Sequence, residues 1–104
     1  TAVGADEQGK QELDSAVLAR ADVLAVDSRV QCASIGELYH ALTAGVVTEA
    51  MAVELGQICA GAQEGRTTVE QITMCDLTGV GVQDVAAANV VMANAEGLGE
   101  RFRI

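Results

Sequence analysis

An acidic residue near the start of the chain, Asp6, has the type and the position needed for proton transfer. It follows the apolar run 1–4, which breaks at Gly4, and a helical pattern resumes at Lys10. This order predicts a strand that leads through a polar loop into a helix. Open α/β sheets bind ligands beyond the carboxyl ends of their strands, where a carboxylate can serve as a general base. Spacing alone favours a simpler role, that of an acid stabilised by the dipole at a helix N-terminus.

The same segment matches the GxxxxGK pattern of phosphate-binding loops, from Gly4 to Lys10. Residues 23–27 also resemble the apolar strand ending in Asp that holds magnesium in such proteins. However, Gln11 stands where a Ser or Thr hydroxyl would bind the metal. Asp6 and Glu7 place two negative charges where phosphate would lie. A P-loop is therefore the weakest alternative, which nucleotide titration with and without magnesium would test.

A second glycine turn, Gly79-Val80-Gly81, begins like the dinucleotide fingerprint GxGxxG but has Asp84 in place of the third glycine. That glycine permits close packing of helix on strand, so the fingerprint is incomplete. Backbone N–H groups and the dipole of the following helix would still suit the lining of a cofactor pocket.

The remaining polar side chains are predicted to be structural. His40, the only histidine, is expected to be an exposed or hydrogen-bonded helical residue. The acids Glu64, Glu70 and Asp76 are expected to form a solvated face. Three cysteines without a CxxC pair argue against a disulfide framework and a zinc site, so we predict no metal and a reduced, cytoplasmic setting.

Composition narrows the class of protein. The 104 residues suit one domain with a sizeable core, and half of them are hydrophobic. One Phe, one Tyr, no Trp and a net charge of -9 make nucleic-acid binding a poor fit. No apolar stretch reaches the length of a membrane span. The chain opens without Met inside an apolar run that would need neighbouring strands, so we expect a fragment of a larger protein.

The elements that would position these residues alternate between strands and helices. Apolar runs at 22–27 and 72–76 are typical of parallel strands covered on both faces. Residues 82–96 form a long helix that is apolar almost all round, which predicts burial against a partner domain or subunit. The other predicted elements are a first strand at 1–4, helices at 10–21, 29–44 with a break at Gly36, and 51–60, a polar loop at 63–70, and a turn at 77–81.

Several segments, in the same order, resemble the ornithine cyclodeaminase and mu-crystallin family. They are Val3-Gly4-Ala5-Asp6, Gly9-Lys10-Gln11-Glu12-Leu13, Val26-Asp27-Ser28, Glu54-Leu55-Gly56, Gly65-Arg66-Thr67, and residues 72–84 followed by Ala86-Ala87-Ala88. The resemblance implies an α/β fold, a partial Rossmann-like parallel sheet with flanking helices and a long C-terminal helix. Residues 1–104 would be the C-terminal part of a Rossmann-type NAD(P)-binding domain, with 82–98 as a helix returning towards a missing domain.

The resemblance also implies a function and a set of site residues. Asp6 would transfer the proton beside the substrate, and Val3, Gly4, Thr78 and Gly79 would contact the nicotinamide side of NAD or NADP. The substrate would be a small amino or imino acid, the complete protein a homo-oligomer, and the fragment alone inactive. The alternative is a non-catalytic, mu-crystallin-like cofactor-binding protein, although mu-crystallin-like members lack the Asp.

Overall fold

The computed structural model describes residues 1–95 and 98, and its centre is a parallel sheet of three strands. The strands are β1 (Val23–Val26), β2 (Ala52–Glu54) and β3 (Thr73–Asp76), in the order β2-β1-β3. Val26 lies opposite Glu54 on one side and Asp76 on the other, so the three carboxyl ends are level. The predicted α/β class with a partial parallel sheet and flanking helices is confirmed.

Five helices and one 3-10 turn connect and flank the strands within the described part of the chain. α1 begins where the Asp14 carboxylate accepts the Ala16 N–H at 2.8 Å, and α2 follows a Ser28 cap. The bounds are α1 Ser15–Ala19, α2 Arg29–Cys32, α3 Gly36–Thr43, the 3-10 turn Glu49–Met51, α4 Leu55–Cys59 and α5 Gly81–Asn94.

The apolar run 1–4 contributes a single parallel bridge, so the prediction of a full strand there is wrong. Ala2 pairs with Asp76: its N–H donates to the Cys75 carbonyl at 2.9 Å, and its carbonyl accepts the Leu77 N–H at 3.0 Å. The next amides, residues 3 and 4, donate to the Glu12 carboxylate instead of a neighbouring strand. The run lies next to β3.

Two further predictions need correction. Residues 10–13 are not helical, because they lie against α3 and hydrogen-bond to it, and only 15–19 form the first helix. The predicted helix at 51–60 contains β2, which is too short to show a strand period in sequence and is stabilised by pairing with β1. The break of the second helix at Gly36 and the loop at 63–70 agree with the structure.

The core lies between the sheet and the helices α1 to α3. Leu18 of α1, Leu38 of α3 and Val26 of β1 are fully buried in one apolar cluster. The other buried apolar members of this cluster are Ala2, Leu24, Cys32, Ala41, Val47, Ala52 and Met74.

The last helix, α5, is exposed along its whole length. Val82, Val85 and Met92 are 70%, 60% and 75% exposed, and no residue of the helix is buried. The helix ends at Asn94, earlier than the sequence predicts, and residues 96 and 97 of the predicted helical segment lie outside the described part. Within that part, no helix has the length and apolar character to cross a membrane.

Candidate functional site at the carboxyl edge of the sheet

The carboxyl edge of the sheet is lined by acids that accept backbone N–H groups. Asp27 follows β1, Glu54 ends β2 and Asp76 ends β3. Glu54 accepts the Arg29 N–H of α2 at 3.1 Å, and Asp76 accepts the Leu38 N–H of α3 at 2.9 Å. These carboxylates therefore stabilise the first turns of the two helices that follow β1.

Asp76 is buried, so the expectation that it belongs to a solvated face is wrong. Burial raises the pKa of its carboxyl group, and the N–H groups of Leu38 and Glu37 offset part of this effect. The charges of Glu37 and Asp27 raise the same pKa further. Its Oδ1 atom has no hydrogen-bond partner. The surroundings of Asp76 therefore favour the neutral form of its carboxyl group.

The turn after β3 is held by Asp27 and Gln31. Asp27 accepts the Thr78 hydroxyl at 3.1 Å and the Gly79 N–H at 2.7 Å. Gln31 Nε2 donates to Thr78 Oγ1 at 3.0 Å and to the Gly79 carbonyl at 2.7 Å. The Gly79 N–H is therefore already used, and the prediction that the turn offers free N–H groups does not hold at this residue.

Gly79 presents an open backbone face. Its φ is +84°, and a Cβ built there would meet no atom within 4 Å. A flat ligand could approach this backbone closely, whereas the Thr78 side chain is buried beneath it. The open face at Gly79 is thus the feature of this turn that fits a cofactor.

Asp27 and Cys32 form the buried part of the network. Burial opposes ionisation of Asp27, but hydrogen bonds from Cys32, Gly79 and Thr78 outweigh it and lower its pKa. Burial raises the pKa of the Cys32 thiol to about 12, so the thiol stays protonated and donates to Asp27 at 3.2 Å. This network anchors the turn and leaves no reactive thiolate.

Asp6 is exposed and lies in the loop that follows the Ala2 bridge. Lys10 Nζ donates to its carboxylate at 2.7 Å, and that hydrogen bond lowers the pKa of Asp6. Lys10 is also 3.4 Å from Glu7, so its ammonium group is committed to two acids. The N–H groups of Val3 and Gly4 are likewise committed, to Glu12. This loop does not have the free N–H cradle of a P-loop.

The structure brings the two predicted halves of the site to one edge. The Ala2–Asp76 bridge makes the segment carrying Val3 and Gly4 leave the sheet beside the strand that leads to Thr78. Asp6 follows in the same loop, with its side chain turned to Lys10. The roles of these residues stay predictions.

An open depression of about 620 Å³ lies elsewhere on the surface, and it is lined by residues 11–16, 44 and 46.

Sequence reasoning missed the residues that organise this edge. It assigned no role to Gln31 and Glu37, considered Asp27 only as the magnesium-holding acid of the P-loop alternative, and placed Asp76 on a solvated face. The available signal was an apolar run followed by Asp, which occurs at both β1 and β3. His40 behaves as predicted, since its Nε2 donates to the Lys10 carbonyl at 2.8 Å. Among the described residues, no three His, Cys, Asp or Glu side chains form a group suited to a metal ion.

A parallel α/β sheet whose loops gather at the carboxyl edge defines a Rossmann-like protein. The chain belongs to the ornithine cyclodeaminase/mu-crystallin family, whose sequence profile matches residues 1–99. The resemblance noted in the sequence is therefore confirmed.

The relatives include enzymes of related chemistry. An uncharacterized cyclodeaminase of Sinorhizobium fredii is 48% identical over 92% of this chain and 29% of its own length. The structure of Paracoccus denitrificans iminosuccinate reductase in complex with NAD+ superposes with a TM-score of 0.84 and 43% identity, over 99% of this chain and 32% of that one. An archaeal alanine dehydrogenase dimer with bound NAD superposes with a TM-score of 0.80 and 38% identity, over 98% of this chain and 32% of that one. The chain thus spans about a third of the relatives it matches.

Proposed function

We propose that this chain is the C-terminal part of a Rossmann-type domain in a larger NAD(P)-dependent enzyme that acts on amino or imino acids. The observation that carries the proposal is the shared sheet edge at which the loop of Asp6 and the turn at Thr78 emerge together. Its support comes from the likeness to an iminosuccinate reductase and an alanine dehydrogenase, both solved with the nicotinamide cofactor bound.

In this proposal the open backbone of Gly79, together with Val3 and Gly4, would hold the nicotinamide side of the cofactor. When bound, NAD or NADP supplies or accepts the hydride. The Thr78 hydroxyl keeps the turn in place by its bond to Asp27 rather than by reacting. The rigidity of this turn would fix the distance between cofactor and substrate, on which transfer rates depend steeply.

Asp6 is proposed as the acid/base. Oxidation of an amine to an imine removes a hydride from carbon and a proton from nitrogen, and Asp6 would accept that proton. An exposed aspartate is ionised at neutral pH, so the Asp6 carboxylate can accept a proton, and the hydrogen bond from Lys10 lowers its pKa further. In the reductive direction the protonated carboxyl group would return the proton.

Replacing Asp6 tests this function. In the full-length protein, Asp6→Asn should lower kcat by about 10²- to 10⁴-fold, the usual contribution of a general acid/base, with little change in the Kd for NADH or NADPH. Turnover would be followed by cofactor absorbance with iminosuccinate and with pyruvate plus ammonia. With ornithine plus the oxidised cofactor it would be followed by release of ammonia, because cyclodeamination returns the cofactor to its oxidised form. The neighbouring Glu7→Gln is the control, because Glu7 is an exposed acid of the same loop.

The possible results separate the alternatives. Unchanged turnover in Asp6→Asn would remove the acid/base role while leaving the enzyme class intact. Cofactor binding without turnover of any amino or imino acid would indicate a non-catalytic protein of mu-crystallin type. Failure to bind either cofactor would contradict the proposal as a whole.

We also propose a homo-oligomer in the cytoplasm, with α5 as one contact surface, since α5 is apolar and exposed.

A further inference from the structure

We propose that Glu37 is a positioning residue, which holds the loop carrying Asp6 through hydrogen bonds that pass along Glu12. This inference rests on the proposed function, because it concerns side chains that would act through Asp6.

The first link is the buried carboxylate of Glu37 at the start of α3. It is 1% exposed, and its two oxygens accept separate amides: Oε1 accepts the Glu12 N–H at 2.6 Å and Oε2 accepts the Leu13 N–H at 3.2 Å. The ion pairs in the described part of the chain involve Lys10 and not this carboxylate. A buried carboxyl group needs hydrogen-bond partners, so these two amides hold the Glu37 side chain in place.

The second link is the carboxylate of Glu12. One oxygen, Oε2, accepts the Val3 N–H at 3.1 Å and the Gly4 N–H at 2.7 Å. The same side chain covers Gly4, because a Cβ there would overlap the Glu12 carboxylate. Glu12 therefore sets the direction in which the chain leaves the sheet towards Asp6, two residues further on.

The third link holds the other end of the loop. His40 lies one turn after Glu37 on α3, and its Nε2 donates to the Lys10 carbonyl at 2.8 Å. Lys10 in turn donates from Nζ to Asp6 at 2.7 Å. Since the Leu38 N–H of α3 is bound to Asp76 at the end of β3, the loop is connected to the sheet at both ends.

The geometry predicts that the two glutamates respond differently to the same substitution. Glu12→Gln keeps an oxygen that can accept both amides, so the variant should retain kcat within about 2-fold. Glu37→Gln places an amide NH₂ against an N–H donor, because both carboxylate oxygens are in use. Glu37→Gln and Glu12→Ala should each lower kcat about 10- to 100-fold in the full-length protein, since small misplacements of reacting groups are costly.

The double variant separates positioning from general loss of structure. If both residues act along one path, Glu37→Gln with Glu12→Ala should lose no more kcat than the worse single variant. Multiplied losses would overturn the proposal. Asp22→Ala is the control: Asp22 accepts the Ile72 N–H at 2.8 Å at the amino end of the sheet, away from Asp6, and should leave kcat unchanged.

Hydrogen exchange gives a readout that does not need activity. The amides of Val3 and Gly4 should exchange about 10-fold faster in Glu37→Gln and in Glu12→Ala, as expected for a lost hydrogen bond, and not in Glu12→Gln or Asp22→Ala. Unchanged exchange in a folded Glu37→Gln protein would overturn the inference whatever the turnover. If Glu37→Gln does not fold, the two Glu12 variants provide the test, because the Glu12 side chain is exposed. Equal exchange rates of the Val3 and Gly4 amides in Glu12→Ala and Glu12→Gln would then overturn the inference. Absence of turnover in the unmodified protein would count against the proposed function alone.

Discussion

At the scale of single residues, carboxylates at the strand ends act as acceptors for backbone groups. Asp27 and Asp76 lie at equivalent ends of neighbouring strands, yet their surroundings shift the two pKa values in opposite directions. Asp27 receives hydrogen bonds from Thr78, Gly79 and Cys32, which outweigh its burial. Asp76 is more deeply buried and keeps an unpaired oxygen, so burial dominates there.

The raised pKa of Asp76 predicts a pH-dependent contribution to stability. Because the folded protein binds this proton more tightly than the unfolded chain, the contribution of Asp76 to the free energy of unfolding increases as pH falls from neutrality through the raised pKa, towards the ordinary value of 3.8. Asp76→Asn removes this proton uptake. In urea titrations of the full-length protein, the free energy of unfolding of Asp76→Asn, relative to that of the unmodified protein, should therefore decrease as the pH is lowered from 7 to 4. A pH-independent difference between the two proteins would contradict the assignment.

At the scale of elements, α3 connects the sheet to the loop of Asp6, and its first residue must be glycine. Gly36 has φ +88°, and a Cβ there would lie 2.6 Å from Thr78 Cγ2 and 2.9 Å from Asp76 Oδ2. Glycine is therefore required here for two reasons, the left-handed backbone and the close approach of Asp76 and Thr78.

Gly36→Ala should be strongly destabilising. The left-handed backbone costs about 1–2 kcal/mol for a residue with a Cβ, and overpacking adds roughly 1–3 kcal/mol. Gly45→Ala is a matched control, because Gly45 has φ +69° but no atom within 4 Å of the added Cβ. Thermal or urea unfolding should show the larger loss for Gly36. Equal losses for the two variants would show that the contact with Thr78 and Asp76 is unimportant.

At the scale of the whole molecule, the described chain combines a buried core with a last helix that is uncovered. α5 carries exposed Val82, Val85, Val90, Val91 and Met92. The chain spans about a third of its relatives, so the proposed larger protein has ample chain to cover this surface. The proposal that 82–98 returns towards another domain rests on these two facts.

Burial of α5 in the full-length protein can be tested with a charge. Val85→Asp should lower the free energy of unfolding by about 2 kcal/mol or more, because an unpaired charge would enter an apolar contact. Gln83→Asp, on the same exposed helix and already polar, is the control and should change stability by less than about 0.5 kcal/mol. Similar small effects of both substitutions, in urea unfolding and in size-exclusion profiles, would mean that the helix stays in solvent.

Local pattern in the sequence was sufficient for the elements whose signal lies within a few residues. The apolar runs of β1 and β3, the break at Gly36 and the presence of a long last helix were predicted, because burial on both strand faces and helical periodicity are visible in the order of the residues. The resemblance to the family was also visible in the sequence, since its motifs follow one another along the chain.

Other features depend on contacts between distant parts of the chain. β2 exists because Ala52–Glu54 pairs with β1, and Ala2 joins the sheet through a single bridge to Asp76. The buried acceptors Glu37 and Asp76 bind amides 25 and 38 residues away, and Asp27 binds one 52 residues away. No local pattern distinguishes such a carboxylate from a solvated one, because its environment arises only when the chain has folded and water is excluded.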